Sequence, residues 1–416
     1  VLLALLTGAC GDQSMNSADS LGLATGVWRG WLDAPGGELP FGLTLLHENG
    51  NWRAQLHNGA ETEEVPDVSL TGNELLIDFR LYDATITAQV SEAGRRLDGL
   101  WVRYDGVDEN GDARESRLDF HATAGESARF SAAEETTPPA APLSGRWRVT
   151  WEQSENPSVA SFEVAGDGSA TGTFLTTTGD YRWLAGTQEG GALRLSTFDG
   201  SHAFLFGAGL QPDGSLAGDF WSRNTWHETW TAVRDEHAAL PSAFEQAVWN
   251  KGVSLADLVF PDLSGTPRAL DDPEFAGKAI IIHCFGTWCP NCNDASDEIV
   301  RLHETYGERG LSVIGLAFEK DRDTERIARQ LRLYAEHHNA TYPMLVAGLS
   351  SKSSATKSLG ALDRVRAFPT TIFLHGDGRV RAVHSGFSGP ATGQEFLDQR
   401  ARFNAIVEEL LAESSD

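Results

Sequence analysis

The chain has 416 residues, 41% of them hydrophobic, with 12 Trp, 20 Phe and four Cys. That is core material for about three domains at roughly 150 residues each, and it excludes both global disorder and a disulfide-stapled miniprotein. A net charge of −26 excludes a general nucleic-acid binder, which needs a Lys/Arg surface to neutralise phosphates.

The charge is uneven. Of 33 basic and 59 acidic residues, 18 and 23 lie after residue 250, leaving −21 on residues 1–250 and −5 on the remainder; every basic residue in the first part is Arg. Such an acidic surface reads as a solubility feature. The chain opens VLLALLTGAC, whose residues 1–9 read as a hydrophobic export segment too short to span a bilayer. Thr7, Gly8 and Ala9 before Cys10 resemble a bacterial lipobox, which implies Cys10 as an acylated N-terminus and residues 10–22 as a polar tether to the membrane. An ordinary signal peptide with Cys10 incidental is the alternative, and both readings export the protein.

From residue 23 to about 240, short alternating segments broken by Gly, Asn and Asp predict an all-β region. It repeats: Gly26, Trp28 and Arg29 recur as Gly145, Trp147 and Arg148; Phe79, Ala84 and Ile86 recur as Phe198, Ala203 and Leu205; Leu97 and Gly99 recur as Leu216 and Gly218. The shared offset predicts two tandem β barrels or sandwiches, residues 23–131 and 143–240, joined by a Pro/Ala/acidic linker at 132–142. In the second unit LSGRWRV and GDGSATGTF faintly resemble the opening strands of avidin-like barrels, and G-x-W also opens lipocalins, an architectural likeness that transfers no ligand-binding residue. His202 and His227 lack a third partner at metal-ligand spacing, so no metal is expected. Residues 241–252 read as a connecting helix.

Residues 253–416 change to α/β grammar. Strands are predicted at 279–285, 311–318, 370–374 and 379–384, with helices at 292–307, 323–339 and 394–411. The informative stretch is IIIHCFGTWCPNC, in which an apolar strand feeds a turn and Cys289-Pro290-Asn291-Cys292 starts a helix. Free amide groups and the positive dipole end there favour a thiolate at Cys289. The two-residue spacing then lets the more buried Cys292 resolve a mixed disulfide. Pro290 fits the first helical position, where its missing donor costs little. The competing readings are an inert disulfide and half of a zinc site, but the only spare thiol nearby, Cys284, sits on the preceding strand.

FGTWCPNC followed by AFPTTIFLHGDGRV resembles the exported TlpA/ResA-like thiol-disulfide oxidoreductases of the thioredoxin superfamily, over residues 253–411. The resemblance implies a thioredoxin-like fold in which Pro369 is a cis-proline facing the disulfide, Phe368 offers backbone groups to a bound peptide, and Trp288 flanks the nucleophile. It assigns an N-terminal β-hairpin to Phe260–Leu270 and an inserted helical segment to Leu311–Pro343. It further implies a periplasmic or cell-envelope disulfide reductase with no cofactor beyond the redox-active Cys289–Cys292 pair. The substrate would be a disulfide-containing protein, and the electron donor a DsbD-type membrane transporter.

Two family positions differ: thioredoxin's buried acid is replaced by His283, and the ResA-like Glu after the second Cys by Ala295. His283 or Glu319 is therefore expected to take the proton from Cys292, the bland alternative being that His283 is a satisfied core residue. Cys284 points to the opposite strand face and reads as an inert buried thiol. Two other functions compete. The acidic β-units could form a binding or scaffolding module that recruits a periplasmic partner. A peroxidase is the more distant reading, because Gly286 and Ile282 stand where a peroxiredoxin carries Thr or Ser and Pro.

Overall fold

The computed structural model describes residues 22–108, 111–130 and 142–413. The export segment, Cys10, the tether before Gly22 and linker residues 132–141 lie outside the described residues.

Eight antiparallel strands between Gly26 and Ala124 close into a barrel, the first strand, Gly26–Ala34, pairing with the last, Ala113–Ala124. Alternation builds it. Leu75, Ile77 and Phe79 on one strand and Ala84, Ile86, Ala88 and Val90 on the next point inward, while intervening polar residues face out. A second antiparallel sheet of nine strands spans Gly145–Arg234. Its pairings also return on themselves, because Ser158–Val164 bonds both Gly145–Trp151 and Ser169–Thr176. Its interior is aromatic: Phe162, Phe174, Phe206 and Trp230 are all buried, and Phe174 stacks on Phe206 at 4.5 Å between centroids. The G-x-W segments have matching geometry. Trp28 Nε1 donates to Ala24 O at 3.2 Å and Trp147 Nε1 to Leu143 O at 3.0 Å, each reaching four residues back.

The two sheets interlock. Phe198, on the second sheet, enters the core of the first barrel, 4.6 Å from Phe41 and edge-on to Phe79 and Trp101. Asn58 holds it there: Asn58 Nδ2 donates to Phe198 O, and Phe198 N donates to Asn58 Oδ1. Arg129 threads the same seam, donating to the carbonyls of Pro40, Ser196 and His57. The first barrel's interior is thus filled by its neighbour.

The segment expected to be a connecting helix is not one. Residues 241–252 contain a single 3₁₀ turn, Ala243–Glu245, after which Trp249 bridges Leu362 and Val248 exchanges hydrogen bonds with Asp363. A helix this short is marginal alone, and contacts to the C-terminal region outcompete it.

The C-terminal region is built on a five-stranded sheet in the order Met344–Leu349, Leu311–Glu319, Ala279–Phe285, Thr370–Leu374, Val380–Ser385. The first two neighbour pairs are parallel and the last two antiparallel. Every residue of Ala279–Phe285 and Leu311–Glu319 is buried, which matches their largely apolar sequences and means both sheet faces are covered. The helices are α1, Pro290–Tyr306; α2, Thr324–His338; α3, Lys352–Leu359; and α4, Gln394–Glu413. The hairpin expected over 260–270 is present as Val259–Pro261 paired with Pro267–Ala269. Two elements were not foreseen, the edge strand Met344–Leu349 and α3. The helix has the polar sequence KSSATKSL and is set by its ends: Ser351 Oγ accepts from Ser354 N, and Gly360 stops it at φ +65°.

Candidate active site

The Ile-rich strand Ala279–Phe285 delivers the chain to a turn at Gly286, whose carbonyl accepts from Cys289 N at 3.1 Å. Cys289 is the N-cap of α1 in extended conformation, Pro290 is the first helical residue, and Cys292 N returns to Cys289 O at 2.9 Å. The two cysteines are free thiols side by side. They differ in access: Cys289 is 7% exposed and Cys292 fully buried. Burial, reinforced by the neighbouring Cys289 sulfur, pushes the Cys292 thiol well above its ordinary range.

Cys289 Sγ lies 3.7 Å from Phe368 O, and the Phe368–Pro369 peptide is cis. Trp288 packs edge-on against Phe368 at 5.9 Å, and its Nε1 donates to Phe318 O at 2.9 Å. The residues singled out in the sequence, Trp288, Cys289, Pro290, Cys292, Phe368 and Pro369, thus meet at one place.

The two candidate bases have different surroundings. His283 stacks on Phe285 as strand alternation requires, but Nε2 meets Ser296 Oγ at 3.2 Å. Ser296 in turn bonds Tyr334, whose hydroxyl donates to the Cys292 backbone carbonyl. Burial, with the charge of His338, lowers His283 to about 3, so the imidazole is neutral. Glu319 accepts from Thr287 N at 3.0 Å and Thr287 Oγ1 at 2.9 Å. Burial raises its carboxyl above the usual range, and its charge acts on Cys292. Cys284 is buried on the other face and pushed up to about 12 by desolvation.

Nothing in the sequence signals that both β sheets reach this site. Arg103 of the first barrel donates to Trp288 O at 3.2 Å. From the second sheet, Arg182 donates to Pro290 O at 3.2 Å, and Asn291 Nδ2 donates to Asp180 O at 3.0 Å. Tyr82 of the first barrel accepts from Asn293 Nδ2 at 3.1 Å. Arg182 is a buried node that faces Glu61 at 2.6 Å, Asp294 at 3.3 Å and Asp199 at 3.5 Å, joining the first barrel, α1 and its own sheet. These residues stand in ordinary strand and turn contexts, and only long-range packing selects them.

The AhpC/TSA family model matches residues 252–383, which include both cysteines and Pro369. The thiol-disulfide oxidoreductase ResA of Halalkalibacterium halodurans is 23% identical over 157 residues, covering 37% of this chain and 79% of that protein. The thiol:disulfide interchange protein DsbE of Pseudomonas aeruginosa is 28% identical over 141 residues, covering 34% and 68%. The C-terminal region is thus similar in sequence to thiol-disulfide oxidoreductases of the ResA and DsbE type. Among solved structures, a thioredoxin-family thiol:disulfide interchange protein from Chlorobium tepidum is 21% identical, covering 37% of this chain and 92% of its own, with a TM-score of 0.27. The family match begins after the two β sheets and takes in Cys289 and Cys292 together with the strand that follows the cis-proline.

Proposed function

We propose that this protein is a thiol-disulfide oxidoreductase of the ResA/DsbE type, acting as a disulfide reductase in the cell envelope. The observation that carries the reading is the asymmetric dithiol: Cys289 at the start of α1, the less buried of the two at 7% exposure and facing the cis-proline peptide, and a fully buried Cys292 one turn on. Cys289 as thiolate attacks one sulfur of a substrate disulfide, forming a mixed disulfide and releasing the other sulfur as a thiolate. Cys292 loses its proton to Glu319 and attacks the Cys289 sulfur. The substrate leaves with both cysteines reduced, and the enzyme carries the Cys289–Cys292 disulfide. Two electrons pass to the substrate, and a membrane dithiol donor of the DsbD type restores the dithiol.

The lipobox-like residues before Cys10 support a lipid anchor, and among the described residues no helix is long and apolar enough to cross a membrane. The β sheets, whose indole hydrogen bonds recur at one offset, are read as a duplicated module that walls the active site.

The test is insulin reduction together with trapping. The wild-type chain should reduce insulin with a dithiol donor, Cys289→Ser should be inactive, and Cys292→Ala should accumulate substrate as a mixed disulfide. Failure of the wild type to reduce insulin, together with the absence of any trapped species, overturns the reading.

A further inference from the structure

A cleft of about 730 Å³ opens beside Cys289, walled by the first barrel, the second sheet and the redox region. Its volume suits a short peptide segment better than a folded surface. Its charge runs against that of the molecule. In a chain of net charge −26, Asp105 is approached by three cations at once: Arg103 at 3.1 Å, Arg223 at 2.8 Å and Lys320 at 3.3 Å. Arg114 donates to the Asp105 backbone carbonyl at 3.4 Å, and the remaining carboxylate of the lining, Glu115, is engaged by Arg117.

Arg103 is 5% exposed, and its Nε has no hydrogen-bond partner among the described residues. Lys320 sits 5.5 Å from the Trp288 ring centroid and is lowered to about 7 by burial and by the nearby guanidinium of Arg103, against the pull of Asp105. Two guanidiniums and Lys320, whose charge a nearby anion would favour, surround a single carboxylate, so this partly buried cluster is short of negative charge and an incoming carboxylate would supply it.

We propose that this cleft is an anion-binding subsite that selects disulfides whose cysteine is flanked by acidic side chains, the preferred substrate being an extended acidic peptide segment. The inference rests on the redox reading above for its chemistry, in which Cys289 forms the mixed disulfide and Cys292 releases the reduced peptide. A peptide is favoured over a small disulfide because the Phe368 backbone beside the sulfur can pair with an extended main chain.

The experiment uses the full, pre-reduced chain and disulfide-linked dimers of one peptide whose cysteine is flanked by Glu, Ser or Lys, with oxidised glutathione as a small anionic disulfide. Exchange of the Glu peptide should run about tenfold faster than the Ser peptide at low ionic strength, with the Lys peptide slowest and the spread collapsing in high salt. Arg223→Gln and Lys320→Gln should each bring the Glu-to-Ser ratio towards one; the salt dependence of the wild type stands even if a variant misfolds. In parallel, fluorescence anisotropy of a labelled Glu peptide carrying Ser for Cys, added to the Cys289→Ser chain, should show tighter binding than its Lys counterpart.

Equal exchange rates and equal binding overturn the subsite and leave the redox reading intact. Preferential binding of the Glu peptide without exchange of any peptide supports the subsite and overturns the redox reading. Oxidised glutathione outpacing the Glu peptide overturns the peptide as occupant.

Discussion

Glu319 and His283 both lie buried near the dithiol, and their environments separate their capacities. A proton passing from Cys292, whose thiol is raised well above its ordinary range, to an imidazole held near 3 climbs steeply, and Ser296 and Tyr334 route the histidine's contacts to the Cys292 carbonyl. Glu319 is raised by burial yet kept partly ionisable by the two hydrogen bonds from Thr287, so it is the better matched acceptor. Glu319→Gln should slow release of the mixed disulfide by roughly 10²-fold. Because the Glu319 carboxyl is protonated below its raised pKa and accepts a proton above it, the wild-type release rate should climb with pH through that inflection, and the variant should lose it. An unchanged profile in stopped-flow exchange would remove Glu319 from the mechanism. The sequence could name both candidates, since alternation along two strands fixes which side chains share a face. It could not show Ser296 and Tyr334 linking His283 to the Cys292 carbonyl, because these come from α1 and α2.

The start of α1 is the element on which the site depends. Local rules place it: a β-branched strand, a turn, an N-capping Cys and Pro at the first position. What local rules omit is the clasp over it from the second sheet. Gly179 has φ +147°, and a Cβ there would lie 2.4 Å from Asn291 Nδ2, the amide that donates to Asp180 O. Gly179→Ala should therefore loosen the clasp at a cost of about 1–3 kcal/mol and raise the alkylation rate of Cys289 by iodoacetamide several-fold. Alkylation at the wild-type rate would mean that the clasp does not limit access. The same division between local and long-range signals accounts for the misread elements. The helices α1, α2 and α4 carry apolar periodicity, whereas 241–252 is drawn into a bridge with Leu362 and α3 is polar and set by its caps.

Across the whole molecule, Arg182 joins three bodies of structure, with Glu61, Asp199 and Asp294 around a guanidinium 5% exposed. Removing the cation leaves the Glu61, Asp199 and Asp294 carboxyls without their shared guanidinium, so Arg182→Met should lower unfolding stability by about 3–5 kcal/mol, with Arg182→Lys intermediate because it keeps the charge but not the fork. A denaturation midpoint unmoved by Arg182→Met would contradict this. Phe198 makes a second joint by filling the first barrel's core, which accounts for a buried aromatic residue at the end of its strand in the second sheet. The sequence by itself determined the all-β and α/β halves, the dithiol with its helix start and the concentration of acid in residues 1–250, while Pro369 facing the dithiol was implied by the family resemblance. These are signals of periodicity, spacing and composition carried within short windows. Only the tertiary structure decided that the acidic half presents Arg103 and Arg182 to the redox region and Arg223 to the cleft beside Cys289. Net charge averages over a surface, whereas a cleft is made by the few residues that packing between distant segments brings together.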